Sequence, residues 1–213
     1  MMDKIQAVIF DLDGTVLDDE EQYAEAFRKV LAGLGVVGGQ SPQEGGIGLE
    51  RNWEKLLEKY KIETTKTPSE LGFETQREFV QLIEEVEVRH GFFDLINLLR
   101  DLGIRTALAT SSTWSVVDLV LEKFGLEECF DAKVTVEEVV NTKPEPDIFL
   151  EAADKLEVDA SKCVVFEDAI SGVKAAKRAG MKVFVVGGLK SDKADGCYED
   201  FRSVMDAFER ISN

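Results

Sequence analysis

The chain has 213 residues, is 44% apolar and carries a formal net charge of −17. That apolar content suffices for one sizeable core, or a core with a small companion domain, and excludes a disordered chain. The negative charge repels phosphate backbones and anionic lipid, which argues against nucleic acid or a membrane surface as a partner. Three cysteines, Cys129, Cys163 and Cys197, lack metal-like spacing, and two of them border apolar runs. They read as reduced structural thiols. With no basic-then-apolar leader at Met1 and no apolar run near eighteen residues, the expectation is a soluble cytoplasmic protein, a monomer or weak dimer.

The run Ala7 to Phe10 is too short for a buried helix and predicts a strand covered on both faces, as in a parallel sheet. Asp11 stands at its C-terminal end, Asp13 lies two residues on, and Gly14 can supply a tight turn. In open α/β sheets that edge is where ligands bind. A calcium-loop reading of Asp-Leu-Asp-Gly fails, because a strand precedes it and the twelfth position is Gln22.

Asp18 or Asp19 is then expected to cap a helix whose Tyr23, Ala24, Phe27, Val30, Leu31 and Leu34 recur at helical spacing before Gly35. From Gly33 to Gly48 the chain carries seven of its 17 glycines and a Ser41-Pro42 turn, predicting a mobile loop. No strand precedes it and no Lys-Ser or Lys-Thr follows, so it is not a Walker-type phosphate loop. Trp53, Leu56, Leu57 and Tyr60 mark a second helix, and Phe79, Val80, Leu82, Ile83 and Val86 a third. Residues 18 to 88 therefore read as an all-helical segment.

From Gly91 helices and strands alternate. A helix through Phe93, Ile96, Leu99 and Leu102 ends at Gly103, and a strand runs from Ile104 to Ala109. Thr110-Ser111-Ser112 follow, leading into a helix with Val116, Val117, Val120, Leu121 and Phe124. Free N–H groups at such a helix start, with the Thr110 hydroxyl beside them, would hold a phosphate; plain helix capping is the competing use. A short strand near Ala132 to Val136 leads to Thr142-Lys143-Pro144-Glu145-Pro146-Asp147, with Pro146 suited to the first turn of the next helix. Cys163 to Phe166 is a buried run ending at Glu167-Asp168. The helix Ser171 to Ala179, a strand Val183 to Val186 and an amphipathic helix Tyr198 to Ile211 complete the chain. The predicted fold class is α/β: a Rossmann-like parallel-sheet core (1–17 and 89–213) with an inserted all-helical cap (18–88).

One sheet edge would thus carry Asp11, Asp13, Thr110, Lys143, Glu167 and Asp168. Each type has a use in moving a phosphoryl group onto an aspartate. A carboxylate attacks a dianionic phosphate only if charge is offset, which Mg²⁺ on Asp11 and Asp168, with Lys143 alongside, would supply. Hard oxygen ligands favour Mg²⁺ over zinc. A second carboxyl can protonate the leaving alkoxide and then take a proton from the hydrolytic water.

These motifs resemble those of the haloacid dehalogenase superfamily, in its phosphatase branch with a helical cap. Phe10-Asp11-Leu12-Asp13-Gly14-Thr15-Val16-Leu17-Asp18 is similar to the first family motif, Thr110-Ser111 to the second, Lys143-Pro144-Glu145-Pro146-Asp147 to the third, and Phe166-Glu167-Asp168 with Gly172 to the fourth. The resemblance implies that Asp11 is the nucleophile and that Asp13 is the acid/base whose backbone carbonyl also reaches Mg²⁺. Asp168 would be a metal ligand, with Glu167 acting mainly from behind it. Phosphate would meet Thr110, Ser111 and Lys143. The implied activity is Mg²⁺-dependent hydrolysis of a small phosphorylated metabolite, a sugar phosphate or phosphoglycolate-like ester, through an aspartyl phosphate.

A β-phosphoglucomutase-type phosphomutase is the alternative. In those relatives a histidine twelve residues after the nucleophile takes part in coupling cap closure; here that position is Tyr23. A phospho-aspartate signalling receiver is more remote, since it needs neither a cap nor a proton donor at Asp13. In the cap, Arg51 is the candidate for a substrate hydroxyl or carboxylate, and Lys55, Lys59 and Lys61 are further cations. His90 reads as structural, and Met181, Met205, Trp53 and Trp114 as core.

Overall fold

The computed structural model describes residues 5–42 and 45–212, with backbone alone from 208 onward. The Met1 start, residues 43–44 of the glycine-rich loop and residue 213 lie outside the described residues. Strand β1 (Ala7–Phe10) passes into a two-residue strand β2 (Leu17–Asp18) and helices α1 (Glu20–Gly33), α2 (Leu49–Tyr60) and α3 (Pro68–Leu82). The chain returns through β3 (Glu87–Val88) to α4 (Phe92–Asp101), β4 (Arg105–Ala109), α5 (Trp114–Phe124), β5 (Ala132–Val134) and α6 (Asp147–Lys155). It ends with β6 (Cys163–Glu167), α7 (Ile170–Arg178), β7 (Lys182–Val185), β8 (Gly196–Cys197) and α8 (Phe201–Ser212).

Six strands form a parallel sheet in the order β5-β4-β1-β6-β7-β8, with β1 in the interior. Alternation along β1 explains why both faces are covered. Val8 and Phe10 join one apolar cluster with α4, α5 and α8, while Ala7 and Ile9 join another with α6 and α7. Phe10 anchors the first cluster: its ring stacks on Phe166 at 5.4 Å and meets Phe92 at 5.5 Å and Phe201 at 5.8 Å. Burying such a ring is worth about 1.5–3 kcal/mol, so this cluster fixes β1 firmly. Met181, Met205 and Trp53 are buried as expected.

The segment between β2 and β3 has its own core of Phe27, Val30, Leu31, Trp53, Leu56 and Leu71. Its apolar contact with the sheet is continuous, because Phe79, Ile83 and Val86 share a cluster with Leu12, Val16 and Leu17. The two legs joining it to the sheet pair as an antiparallel ribbon, Leu17 opposite Val88 and Asp18 opposite Glu87. Two-residue strands have no periodicity to read, and neither these nor β8 was expected from sequence.

Other expectations shift. The buried stripe of α4 is Phe92, Leu95, Ile96 and Leu99, whereas Phe93 and Leu102 are 44% and 59% exposed. Of two adjacent phenylalanines, the one packed on Phe10, Phe130 and Phe201 sets the phase. Helix α3 begins earlier than its apolar stripe, at a capping box in which Thr67 and Glu70 satisfy each other's backbone N–H. Pro146 stands just before α6 rather than in its first turn. Asp19 occupies the position before α1, but its carboxylate makes no capping bond; it turns inward to the Gly14 N–H at 2.8 Å. The glycine-rich loop is partly tied down: the Gly45 and Gly46 carbonyls accept from the Ser171 and Ser111 hydroxyls.

Candidate active site

Register places the polar residues. Phe10 lies opposite Leu108 on one side and Phe166 on the other, so the chain leaves three neighbouring strands at one level. Asp11 follows directly from that level, Thr110 and Asp168 lie two residues beyond it, and the Asp11 N–H donates to the Phe166 carbonyl at 3.0 Å. Lys143, from the loop after β5, reaches the same point: its ammonium donates to Asp11 Oδ1 at 2.5 Å, to Glu167 Oε1 at 2.7 Å and to the Ala109 carbonyl at 3.3 Å.

Glu167 is fully buried and fully used. Its second oxygen accepts the Asp168 and Ala169 N–H groups at 3.0 and 2.9 Å. A Cβ at residue 172 would stand 1.8 Å from Glu167 Oε1, so the approach of α7 requires Gly172. Asp168 accepts from the Thr15 hydroxyl at 3.0 Å. It too needs a glycine beside it, since a Cβ at residue 14 would come within 2.3 Å of Asp168 Oδ2.

Asp11, Glu167 and Asp168 each offer an oxygen within 4.8 Å of the others. Burial raises Asp11 well above the carboxylate range; Lys143 opposes this, while Glu167, Asp168 and Asp13 add to it. Burial, then Glu167, lifts Asp168 to about 8. Burial disfavours the Lys143 ammonium, yet Asp11 and Glu167 outweigh it and keep Lys143 charged. One ammonium facing three acids leaves the cluster short of positive charge. An all-oxygen set with that deficit fits a hard divalent cation such as Mg²⁺.

Asp13 is gripped from the other side. Its Oδ2 accepts from the Ser112 hydroxyl at 2.6 Å and from Thr110 at 3.4 Å, and its Oδ1 is buried without a partner. Ser112, in the middle of a Thr-Ser-Ser-Thr run, was not distinguished in the sequence; its spacing carries no signal that separates it from its neighbours. Thr110 is fully buried, and its oxygen accepts the Ser112 N–H at 3.0 Å. Asp19 is also fully buried, and burial followed by the nearby Asp13 pushes its carboxyl well above the ordinary range.

Above this floor is a cavity of about 950 Å³ between the sheet edge and the helical segment. Asp11, Asp13, Asp168 and Ser111 line it from below, and Tyr23 and Arg51 from above. Thr110, Lys143 and Glu167 do not line it; they lie behind the residues that do. Tyr23 stacks on Phe79 with ring centroids 4.0 Å apart. Burial, with Asp13 and Asp19 adding to it, holds the phenol well above its ordinary pKa, so it stays neutral. Arg51 is exposed, and its side chain makes no hydrogen bond or ion pair among the described residues. Lys55 lines the cavity, while Lys59 lies over Tyr60 and Lys61 ends α2 in a left-handed conformation. His90 is exposed and pairs with Asp200 at 3.0 Å, away from the cavity lining.

Residues 5–180 match the family model of the haloacid dehalogenase-like hydrolases. The chain belongs to that family. It is a hydrolase, as its relatives bear out. The phosphorylated carbohydrates phosphatase of Thermotoga maritima is 35% identical over 202 residues, covering 89% of each chain. Among solved structures, CbbY from Rhodobacter sphaeroides in complex with phosphate superposes with a TM-score of 0.82 at 28% identity, over 94% of this chain and 96% of that one. The β-phosphoglucomutase of Clostridium difficile superposes with a TM-score of 0.83 at 25% identity, over 98% of this chain and all, 100%, of that one. This hydrolase therefore resembles a phosphatase in sequence and shares its architecture with CbbY and with a β-phosphoglucomutase. Among its described residues no helix is long and apolar enough to cross a membrane.

Proposed function

We propose that this haloacid dehalogenase-like hydrolase is a Mg²⁺-dependent phosphatase that transfers the phosphoryl group of a small monoester to Asp11 and then to water. The observation that carries this reading is the Asp11 carboxylate, held by Lys143 through one oxygen while the residue faces a cavity that Asp13 and Asp168 also line. The free Asp11 oxygen attacks phosphorus as the ester P–O bond breaks. Asp13 gives its proton to the departing alcohol oxygen. Water then attacks phosphorus, returns its proton to Asp13, and leaves Asp11 and inorganic phosphate. Asp11, Asp168 and the Asp13 backbone carbonyl would hold Mg²⁺, with Glu167 behind them; the ion supplies positive charge to a phosphate that the acids would otherwise repel. Ser111, which lines the cavity, would meet phosphate oxygens, and Lys143, bonded to Asp11 from behind, would offset their charge.

The names of the relatives support a phosphorylated carbohydrate or similar small ester as substrate; we further propose that the chain acts in the cytoplasm as a monomer or weak dimer. Hydrolysis is favoured over phosphoryl shuttling by Tyr23. A mutase must keep its aspartyl phosphate from water until a sugar hydroxyl arrives, and a neutral tyrosine cannot signal closure by pairing as a cation with a carboxylate. Release of inorganic phosphate from a panel of small phosphate esters, with Mg²⁺ and with EDTA, tests the proposal. Activity that survives chelation contradicts the metal assignment. Glucose 6-phosphate appearing from β-glucose 1-phosphate faster than free phosphate, with a trace of the 1,6-bisphosphate present, contradicts hydrolysis.

A further inference from the structure

The two legs of the helical segment each send a polar side chain to the backbone of one residue of the catalytic turn. Gly14, with φ +77°, follows Asp13 directly. Its N–H donates to Asp19 Oδ1 at 2.8 Å, and its carbonyl accepts from Arg89 Nη2 at 2.6 Å. Asp19 comes just after β2, on the outgoing leg, and Arg89 just after β3, on the return. Arg89 also donates through Nε to the Thr15 carbonyl at 3.0 Å, through its backbone N–H to the Val16 carbonyl at 2.8 Å, and through Nη2 to Asp18 Oδ1 at 3.3 Å. Its side chain is only 9% exposed, and a Cβ at residue 187 would lie 3.3 Å from Nη2, so the guanidinium is boxed in.

A guanidinium and a carboxyl are both costly to bury, and neither is needed merely to close a tight turn. Bonds to the N–H and to the carbonyl of Gly14 hold the two peptide units that flank its Cα, and so fix its φ and ψ together; the bond from the Arg89 guanidinium is charge-assisted. Asp13, the neighbouring residue, has one carboxylate oxygen on Ser112 and Thr110 and the other without a partner, so the backbone of the turn shares in setting its placement. We infer that Asp19 and Arg89 are positioning residues that couple the orientation of the helical segment to the placement of the Asp13 carboxyl. This rests on the acid/base role of Asp13 proposed above and adds to it the means by which movement of the cap reaches the proton donor.

A positioning role is read from leaving groups. An aryl phosphate needs little protonation and an alkyl phosphate needs it fully, so kcat and KM are measured on p-nitrophenyl phosphate and on glycerol 2-phosphate with Mg²⁺. In the full chain, Arg89→Ala should lower kcat on the alkyl ester by about 10²-fold, the cost of misplacing a reacting group by about 1 Å, and lower it far less on the aryl ester, with KM little changed. Arg89→Lys, which keeps the charge but cannot span two carbonyls, should show the same pattern more weakly, and it carries the comparison if the alanine variant does not fold. Asp19→Asn retains an acceptor for the Gly14 N–H and should lose less than Asp19→Ala. In an Asp13→Asn background, either positioning substitution should add almost nothing, because its effect is spent through Asp13. Equal losses on both esters, or full additivity with an otherwise normal Asp13→Asn, would overturn the coupling alone. An Asp13→Asn variant with equal losses on both esters would overturn the acid/base role and the coupling together.

Discussion

The sheet edge and the helical segment above it solve different problems with the same kinds of side chain. At the edge, Lys143 is buried among Asp11, Glu167 and the Ala109 carbonyl, and Glu167 uses both of its oxygens. In the helical segment the buried groups serve packing: Trp53 sits in an apolar core and donates to the Thr75 hydroxyl at 2.8 Å, which passes the bond to the Leu71 carbonyl at 2.9 Å. The side chains that this segment offers to the cavity differ again, since that of Arg51 is exposed and makes no hydrogen bond or ion pair among the described residues. Chemistry demands preorganised, desolvated charge, whereas selection of a substrate leaves polar groups unspent until the ligand arrives.

Breaking the edge should cost most. Lys143→Met leaves Asp11 and Glu167 facing each other without their ammonium, so turnover should collapse. Unfolding by denaturant should show a loss of about 3–5 kcal/mol, the usual result of deleting one partner of a buried charge pair. Full activity in this variant would mean that the lysine is not part of the phosphate site. Trp53→Ala should cost a similar stability, about 3–5 kcal/mol, through the cavity it opens. Its kcat per folded molecule, however, should stay close to that of the parent chain on an aryl phosphate; a collapse in kcat would show that the two regions are less separate than drawn here.

Metal removal sharpens the contrast through pH. Without a metal, burial and then Glu167 raise the Asp168 carboxyl from the ordinary carboxylate range to about 8. A raised carboxyl contributes stability that is fully present below its unfolded pKa and is lost as pH rises through the folded value. The melting temperature in EDTA should therefore fall from about pH 4, the ordinary carboxyl value, to about pH 8 and level off above it, and the stabilisation by Mg²⁺ should grow over the same window as the ion takes the proton's place. A Mg²⁺ effect that does not change with pH contradicts this. The smallest effect belongs to Arg51→Ala, which should raise KM by about tenfold or less with kcat nearly unchanged, the mark of binding felt equally in ground and transition states.

How far these regions could be read from sequence follows the same division. Asp11, Lys143, Glu167 and Asp168 were legible because each is an ionisable residue placed just after a buried strand or in a rigid Pro-flanked loop, where charge has no structural use. Ser112, Asp19 and Arg89 were not. Asp19 before a helix has the local pattern of a cap, and only the fold shows its carboxylate turned to Gly14 instead. Arg89 lies in no periodic pattern, and its partners are backbone carbonyls seventy-odd residues away, at separations of 74 and 75. Thr110 had the right strand-end position, but the side chain packs behind Ser112 rather than lining the cavity. In α4 the period was legible and its phase was not, because Phe92 and Phe93 are chemically identical and only packing distinguishes them.

The central claim is that Asp11 carries the phosphoryl group. Its most direct test is acid quenching within the first turnovers on p-nitrophenyl phosphate and Mg²⁺, followed by mass-spectrometric mapping of the protein. Phosphate should be found on the peptide that holds Asp11 in the parent chain and be absent, together with turnover, in Asp11→Asn. Phosphate released at the full rate by Asp11→Asn, or a phosphorylated residue elsewhere in a chain with Asp11 intact, would contradict it.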